Sequence, residues 1–400
     1  MTNKEAAIKV IERLRENGFE ALLAGGCVRD MLLERQAKDY DVATNAVPDE
    51  IIALFRRTLK IGAKFGVVMV LLDSQQVEVA TFRTESGYAD GRHPGHVAFS
   101  NAKEDAQRRD FTINGMFYDP IDEKVYDYVE GQADIERKVL RTIGDAADRF
   151  GEDYLRMLRA VRFSAQLGFE IEEMTWHGVC DGAKNITKIS GERIGMEIEA
   201  TLSCSLRGRG AELLCKSGLG VAVFSGFCGD NAVFGVKVVS NLPPEANFIV
   251  SLAGLFAGFE SEFGIEKAKV LMLSNVQAGK LGFLLENRGV LLDGQMRLAE
   301  LKMLLAGGYF DDLLLLEKGI QKAMGTISEG LDVIAARAKD LEGVDVAPAA
   351  LLDGNEIMEM GVKAGPGLGT ICHQMYLAQL DGDIANKQEA RQWVRDWLNR

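Results

Sequence analysis

Hydrophobic and polar positions follow two different patterns along the chain, and the change falls at about residue 145. Before it, strand-like and helix-like segments alternate, and the predicted elements are a helix over 4–17, a strand over 20–24, a helix over 28–34, a helix after Pro48, and consecutive strands over 66–72 and 76–83. After it, nearly every segment repeats its apolar residues with a helical period. The pattern predicts an α+β domain followed by an all-helical remainder.

A glycine pair and an aspartate pair are the most informative positions of the first part. Gly25 and Gly26 lie between the predicted strand and helix, where a backbone without side chains and a helix N-terminus can approach a phosphate, and Arg29 adds a guanidinium. Asp39 and Asp41 alternate with other residues, which on a strand places both carboxylates on one face. Hard cations such as Mg2+ are commonly held by one or two carboxylates plus substrate phosphates. Together these residues predict nucleotidyl transfer with two Mg2+ ions.

Each feature also has a simpler structural interpretation. A glycine pair before a helix is often only a tight turn, and Asp-x-Asp is common on solvated strand edges. The P-loop pattern GxxxxGK[ST] does not occur at this place, which argues against a Walker-type ATPase. The nucleotidyl-transfer hypothesis therefore depends on the spacing of the two features.

Two further positions in this part can contribute to the same chemistry. Glu78 projects from an apolar alternating strand, and it is either a third carboxylate that acts as base or outer ligand, or an exposed glutamate on an edge strand. Arg108 and Arg109 precede an apolar segment, where adjacent arginines commonly begin a solvated helix. Because the same domain carries the predicted metal pair, we favour the alternative that one guanidinium clamps a triphosphate opposite the glycines.

The segment over 152–163 predicts a nucleotide-selecting helix. Asp153, Arg156, Arg159 and Arg162 recur every three residues, and the apolar residues between them supply the buried side. Cytosine and adenine both present an amine beside a ring-nitrogen acceptor, whereas guanine and uracil present a carbonyl and an N–H. An Asp acceptor and an Arg donor on one helix face complement cytosine and adenine. The segment therefore predicts selection of these bases without a template.

Composition and charge exclude only a few classes of protein. The chain has 47% hydrophobic residues and no apolar run long enough to span a membrane, and its charged amphipathic start lacks the apolar core of a signal peptide. Six cysteines without CxxC pairing indicate neither a zinc site nor a disulfide framework, and they fit a reducing cytoplasm. The net charge of −13 does not decide whether the protein binds nucleic acid. It argues against a wholly basic surface but is compatible with a local basic stripe.

Four ordered motifs in the first 200 residues resemble the superfamily of class II tRNA nucleotidyltransferases and bacterial poly(A) polymerases. They are GGCVRD over 25–30 with DYD over 39–41, RRDFTIN over 108–114, EDYLRMLRAVRF over 152–163, and ISGERI over 189–194. A weaker resemblance continues over 207–214. It returns over 351–356 and 366–369, which are similar to the tail of CCA-adding enzymes.

The resemblance implies a domain order and a set of site residues. The order is a catalytic head with a mixed β-sheet over 1–145, a helical neck that selects the base over 146–205, a helical body over 206–310, and a helical tail that binds tRNA over 311–400. Asp39 and Asp41 would ligate Mg2+, with Glu78 also catalytic, and segment 189–194 would brace the neck, with Ser190 as an N-cap. The implied nucleotide-binding residues are Gly25, Gly26, Arg29, Arg109, Asp153, Arg156, Arg159 and Arg162.

The implied activity is addition of CCA to tRNA 3′ ends from CTP and ATP. The rivals are an A-adding or partial CCA enzyme, a poly(A) polymerase, and a non-enzymatic RNA-binding descendant. Segment 84–94 is polar, contains glycine and is predicted as a loop between two strands; in the family an intact loop there is associated with the final A addition. The expected partners are the tRNA acceptor arm, CTP and ATP, with no membrane, for a cytoplasmic monomer or homodimer.

Overall fold

The computed structural model of the protein describes residues 1–60, 66–87 and 95–399. The described chain forms two compact units. The first consists of Met1–Phe227 with Val270–Met272, and the second of Cys228–Lys269 with the described residues from Leu273 onward. The finer division into head, neck, body and tail stays a prediction.

The N-terminal part of the first unit contains the strands. They are β1 (Ala21–Ala24), β2 (Asp41–Thr44), β3 (Thr58–Leu59), β4 (Val67–Leu72), β5 (Gln75–Thr81), β6 (Arg83–Ser86), β7 (His96–Phe99), β8 (Phe117–Asp119), β9 (Lys124–Tyr126), β10 (Val139–Leu140) and β11 (Glu170–Ile171). Seven of them form one sheet in the order β3-β4-β5-β2-β1-β8-β9. Within it β2 and β5 are parallel and the other neighbours are antiparallel. The predicted mixed sheet is confirmed.

Helices accompany the sheet and make up most of the remainder of the first unit. They are α1 (Asn3–Glu16), α2 (Gly26–Leu32), α3 (Pro48–Leu54), α4 (Ala102–Gln107), α5 (Gly131–Arg137), α6 (Ala146–Glu152), α7 (Leu155–Leu167), α8 (Glu173–Gly182), α9 (Gly191–Leu202), α10 (Arg207–Lys216) and α11 (Leu219–Val223). All four residues of β1 are buried, which requires cover on both faces. Val10, Ile11 and Leu14 supply buried contacts from one stripe of α1.

The regular secondary structure of the second unit is entirely helical among its described residues. Its helices are α12 (Gly229–Asn241), α13 (Phe248–Leu255), α14 (Ser261–Ala268), α15 (Asn275–Glu286), α16 (Leu298–Ala306), α17 (Phe310–Met324), α18 (Glu329–Asp340), α19 (Gly354–Glu359), α20 (Pro366–Asp381) and α21 (Lys387–Leu398). Asp353 caps α19 by accepting hydrogen bonds from the N–H groups of Asn355 and Glu356. Among the described residues, no helix has both the length and the apolar character needed to cross a membrane.

Several local predictions need correction. Asp39 precedes β2 instead of lying on it, so the two aspartates do not share a strand face. Asp153 is extended, with φ −150°, between the end of α6 and the start of α7, and does not belong to the helix of the three arginines. Ser190 stands at the N-cap of α9 without a side-chain cap bond.

The segment predicted as a loop over 84–94 also differs from that prediction at its beginning. Its first residues belong to β6, which pairs with β7 in an antiparallel hairpin. Residues 88–94 lie outside the described residues. The association of this segment with A addition therefore stays a prediction.

Candidate active site

A cavity of about 510 Å³ opens above the sheet of the first unit. It is lined by Ala24, Gly25, Gly26, Arg29, Asp41, Val42, Ala43, Val67, Glu78, Ala80, Arg83, Arg108, Arg109, Asp110, Asn114, Asp153, Leu155, Arg156, Arg159, Phe163 and Arg193. Pockets of 300 to 1,000 Å³ are the usual size for small-molecule sites. The cavity falls within this range, and its lining contains most of the residues predicted from the sequence, which makes it the candidate active site.

Strand pairing brings two carboxylates together at one wall of the cavity. Val42 pairs with Val79 in the parallel β2–β5 ladder, so Asp41 and Glu78 occupy neighbouring positions on adjacent strands. Asp41 also lies opposite Ala24 of β1, directly before the glycine pair. The sheet register therefore places the carboxylates beside the turn that the sequence predicted for a phosphate.

The Asp41 carboxylate is perturbed by its surroundings. It is open to solvent on the cavity side, yet the protein around the cavity desolvates it, and the charges of Glu78 and Asp39 add repulsion that Arg109 only partly offsets. Together these effects raise the pKa of Asp41 to about 6. Crowded carboxylates of this kind are what a bound divalent cation would neutralise.

Backbone geometry explains why glycine stands at the mouth of the turn. Gly25 has φ +72° and ψ −127°, a conformation that is essentially restricted to glycine. A Cβ at this position would also come within 2.8 Å of Nη1 of Arg109. Gly25 is therefore required by its dihedral angles, and a side chain there would also displace the Arg109 guanidinium.

Arg109 and Arg29 are held in place by protein acceptors. Arg109 donates from Nε and Nη2 to Oδ2 of Asp105, at 3.1 and 3.0 Å, and from Nη1 to the Asn114 carbonyl at 3.3 Å. Arg29 donates from Nε to Asp30 at 2.9 Å and from Nη1 to the Asn114 side chain at 2.8 Å. Asn114 thus links the two guanidiniums, which the sequence interpretation did not predict.

The other side of the cavity carries Asp153 and Arg156. Arg156 donates to the Arg149 carbonyl at 2.9 Å, to the Arg108 carbonyl at 3.3 Å, and to the Glu152 carboxylate. Asp153 accepts a bidentate contact from Arg193 of α9, and this arginine was expected only to brace the helices. Asp153 and Arg156 therefore line the same side of the cavity although they do not share a helix.

A partly buried ion pair between Arg159 and Asp110 forms part of this wall. Arg159 donates from Nε to Oδ2 of Asp110 at 2.8 Å, and the backbone N–H of Phe111 donates to Oδ1 at 2.8 Å. Burial raises the pKa of Asp110, but the charges of Arg159 and Arg156 and these hydrogen bonds outweigh burial and bring it to about 2. Asp110 is therefore an ionised part of the cavity wall.

Nine of the eleven predicted site residues line the cavity, and two do not. Asp39 lies outside the lining but close enough to raise the pKa of Asp41. Arg162 binds Glu197 through Nε at 2.6 Å and stacks over the Phe163 ring at 4.1 Å. Its position therefore supports the wall rather than facing the cavity, and its predicted nucleotide contact stays a prediction.

The cavity lining is rich in arginine although the protein as a whole is acidic. Seven arginines and four carboxylates line the cavity of a chain whose net charge is −13. Carboxylates behind the lining pair with several of these arginines, among them Asp30, Asp105 and Glu152. Such a local concentration of guanidiniums cannot be deduced from overall charge.

The donor set fits a metal held jointly with a substrate. Among the described residues, no group of three or more His, Cys, Asp or Glu side chains could hold a metal ion by itself. One or two carboxylates can nevertheless hold Mg2+ when substrate phosphates complete its ligands. Asp41, with its raised pKa and carboxylate neighbours, fits such a shared site.

The fold agrees with comparisons to known families. Residues 21–141 match the family described as "Poly A polymerase head domain". Residues 168–228 match the one described as "Probable RNA and SrmB- binding site of polymerase A". The mixed-sheet head and its matching family define the protein as a nucleotidyltransferase.

Similar proteins extend the match over the whole chain. A CCA-adding enzyme of Lactobacillus gasseri is 33% identical over 399 residues, covering 96% of this chain and 95% of that enzyme. One from Geobacillus is 44% identical over 216 residues, covering 54% of this chain and 53% of the enzyme. The crystal structure of Bacillus stearothermophilus CCA-adding enzyme in complex with CTP has a TM-score of 0.81 at 28% identity, covering 100% and 98%. The chain belongs to the family of CCA-adding enzymes and poly(A) polymerases.

Proposed function

We propose that this nucleotidyltransferase adds CCA to tRNA 3′ ends from CTP and ATP without a template. The RNA 3′-oxygen bonds to the α-phosphorus, and the bond to the bridging oxygen of pyrophosphate breaks. One observation carries the proposal: a single cavity joins a carboxylate wall, arginines and the Asp153–Arg156 pair. The full-length similarity to CCA-adding enzymes supports the choice of tRNA and of these nucleotides.

The triphosphate would lie between the glycine turn and the two linked arginines. The bonds that orient Arg29 and Arg109 leave part of each guanidinium's five N–H groups for phosphate oxygens. Because Asp30, Asp105 and Asn114 already fix their orientation, binding an anion costs these side chains little further entropy. We propose Gly25 and Gly26 as the backbone that lies against the phosphates.

Asp39 and Asp41 would hold Mg2+ together with the triphosphate. When bound there, a pair of Mg2+ ions would lower the pKa of the attacking hydroxyl and neutralise the departing pyrophosphate. Glu78 lies beside Asp41 on the adjacent strand, where it can accept the hydroxyl proton or bind a metal-held water. Asp41→Ala is therefore expected to abolish transfer of both nucleotides.

The base would be read on its pairing edge. Asp153 offers an acceptor for the amine of cytosine or adenine, and Arg156 offers donors for the adjacent ring nitrogen. Arg159 is held by Asp110 and stacks at 5.1 Å over Phe163, which lines the same wall. We propose that Arg159 and Arg162 support the base pocket, and that the C-terminal helices bind the acceptor arm.

The decisive experiment supplies defined tRNA ends and single nucleotides. Three tRNAs are used, one lacking CCA, one ending in the first C and one ending in both Cs, each with CTP or ATP alone and with Mg2+. The proposal expects C addition to the first two with CTP and A addition to the third with ATP. Addition to the third tRNA only would indicate an A-adding enzyme, and long A tails on unrelated RNA would indicate a poly(A) polymerase.

A further inference from the structure

The carboxylate of Asp153 is held from two sides. Arg193 donates from Nη2 to Oδ2 at 2.6 Å and from Nη1 to Oδ1 at 3.3 Å. The backbone N–H of Leu155 donates to Oδ1 at 3.0 Å. A bidentate guanidinium contact fixes the plane of a carboxylate as well as its position. Among the contacts of the described residues, Oδ1 has both lone pairs engaged, whereas Oδ2 keeps one for another donor.

The helix that carries Arg193 is itself seated firmly. Gly191 and Gly195 are about one turn apart on α9, and an added Cβ would lie 2.3 Å from the Val270 carbonyl oxygen and 2.5 Å from that of Leu271. At 3.6 residues per turn, Arg193 lies roughly opposite both glycines. The side of α9 away from Arg193 therefore packs directly against the backbone of Val270 and Leu271. This close packing fixes the position of α9 and with it the position of the Arg193 guanidinium at the cavity.

Orientation matters because a carboxylate can only accept. The amines of cytosine and adenine are donors, whereas uracil O4 and guanine O6 are acceptors that would face the Oδ2 lone pair. A carboxylate that turns freely can move its lone pairs away from the wrong base or admit water between them. A carboxylate held in one plane keeps that repulsion in place.

We propose that Arg193 is a specificity-determining positioning residue, which orients Asp153 so that CTP and ATP are accepted and UTP and GTP are rejected. This inference rests on the proposed function of the cavity. Arg193 acts through Asp153, and its own contact with the nucleotide is not required. Segment 189–194 thereby contributes to nucleotide choice as well as to bracing the helices.

The test compares Arg193→Ala and Arg193→Lys with the unaltered full-length protein. Single-nucleotide addition of CTP and UTP is measured on tRNA lacking CCA, and binding of CTP and UTP is measured by calorimetry without tRNA. Loss of a charge-assisted bidentate contact is expected to reduce the preference for CTP over UTP by on the order of tenfold to a hundredfold, mainly in KM and Kd. Lys retains the positive charge on a single donor nitrogen but lacks the planar fork, and it should restore part of the preference.

Two controls separate positioning from stability. Arg13→Ala removes an exposed arginine that pairs with Glu16 at 3.5 Å on α1, and it should leave the preference unchanged. Asp153→Asn is then combined with Arg193→Ala. Because Arg193 acts through Asp153, the second substitution should add little further loss. An equal loss in both backgrounds would show that Arg193 acts independently and would overturn the inference.

The remaining outcomes distinguish this inference from the proposed function. A folded Arg193→Ala protein with the CTP preference of the unaltered protein overturns the role of Arg193 while leaving CCA addition intact. If Arg193→Ala does not fold, Arg193→Lys and Asp153→Asn give the same comparison. Failure of the unaltered protein to add any nucleotide to tRNA overturns the proposed function, and the binding preference measured without tRNA still decides the role of Arg193.

Discussion

Replacing Asp110 by Asn should destabilise the first unit by an amount that the structure allows us to work out. Asp110 is 8% exposed and binds Arg159 through Nε at 2.8 Å and Nη2 at 2.6 Å. Its pKa falls from 3.8 to about 2 on folding, because Arg159 and Arg156 outweigh the effect of burial. At about 1.4 kcal/mol per pKa unit, the charged form contributes on the order of 2 kcal/mol at neutral pH. Removing one partner of a buried pair costs about 3–5 kcal/mol, and the partial exposure of Arg159 favours the lower value.

Native-state hydrogen exchange measures this loss within one unit. Backbone amides of α4 and α7 report the opening free energy of the first unit in the unaltered and Asp110→Asn proteins. Asp122→Asn is the matched control, since Asp122 is 66% exposed and lies 3.7 Å from Arg15. This control is expected to change the opening free energy by less than about 0.5 kcal/mol.

The pH dependence of the Asp110 effect follows from the direction of the pKa shift. A carboxyl group with a depressed pKa in the folded state contributes its full stability above its unfolded value of 3.8, and the contribution is lost as pH falls toward about 2. The difference between the two proteins should therefore be the same at pH 6 and pH 8 and should narrow below about pH 4. An Asp110→Asn protein as stable as the Asp122→Asn control would refute the reasoning.

Three further changes test other parts of the structure. Gly235→Ala should lower the free energy of unfolding of the second unit by roughly 2 kcal/mol in urea, because the added Cβ would lie 1.9 Å from the Leu255 carbonyl oxygen. The control Gly279→Ala, whose Cβ would have nothing within 4 Å, should raise this free energy by up to about 1 kcal/mol. Equal effects of the two substitutions would contradict the packing of α12. Among the cysteines, Cys27 should react most slowly with iodoacetamide at pH 8 and the exposed Cys228 fastest, as measured by peptide mass spectrometry. The reason is that burial, together with the smaller effect of the Asp41 charge, raises the pKa of Cys27 to about 11. Asp41→Asn should abolish nucleotide addition but raise the thermal unfolding midpoint of chelator-treated protein at pH 8. Burial and the charge of Glu78 raise the pKa of Asp41 to about 6, so its charged form destabilises the folded state above that pH. A lower midpoint would contradict this reasoning.

Local structure was predicted well where the cause is local. The apolar run before Gly25, the turn at Asp73 between β4 and β5, and the helical period after residue 145 are all set by residues within a few positions of one another. The break at Asp153 also has a local signal, since Asp is a preferred residue at helix starts and Asp153 accepts the N–H of Leu155. The spacing of Asp153, Arg156, Arg159 and Arg162 at every third position favoured one continuous helix instead, and this interpretation was wrong at Asp153.

By itself, the sequence determined the class of fold, the strand and turn that hold the glycines, and the residue types that point to nucleotidyl transfer. The tertiary structure decided which of those side chains meet. Asn114 joins Arg29 to Arg109 and Arg193 binds Asp153 across 40 positions of chain, while Asp39 and Arg162 lie outside the cavity lining. Periodicity and propensity describe neighbours along the chain, whereas such contacts depend on the register of β2 with β5 and on the close seating of α9 against backbone.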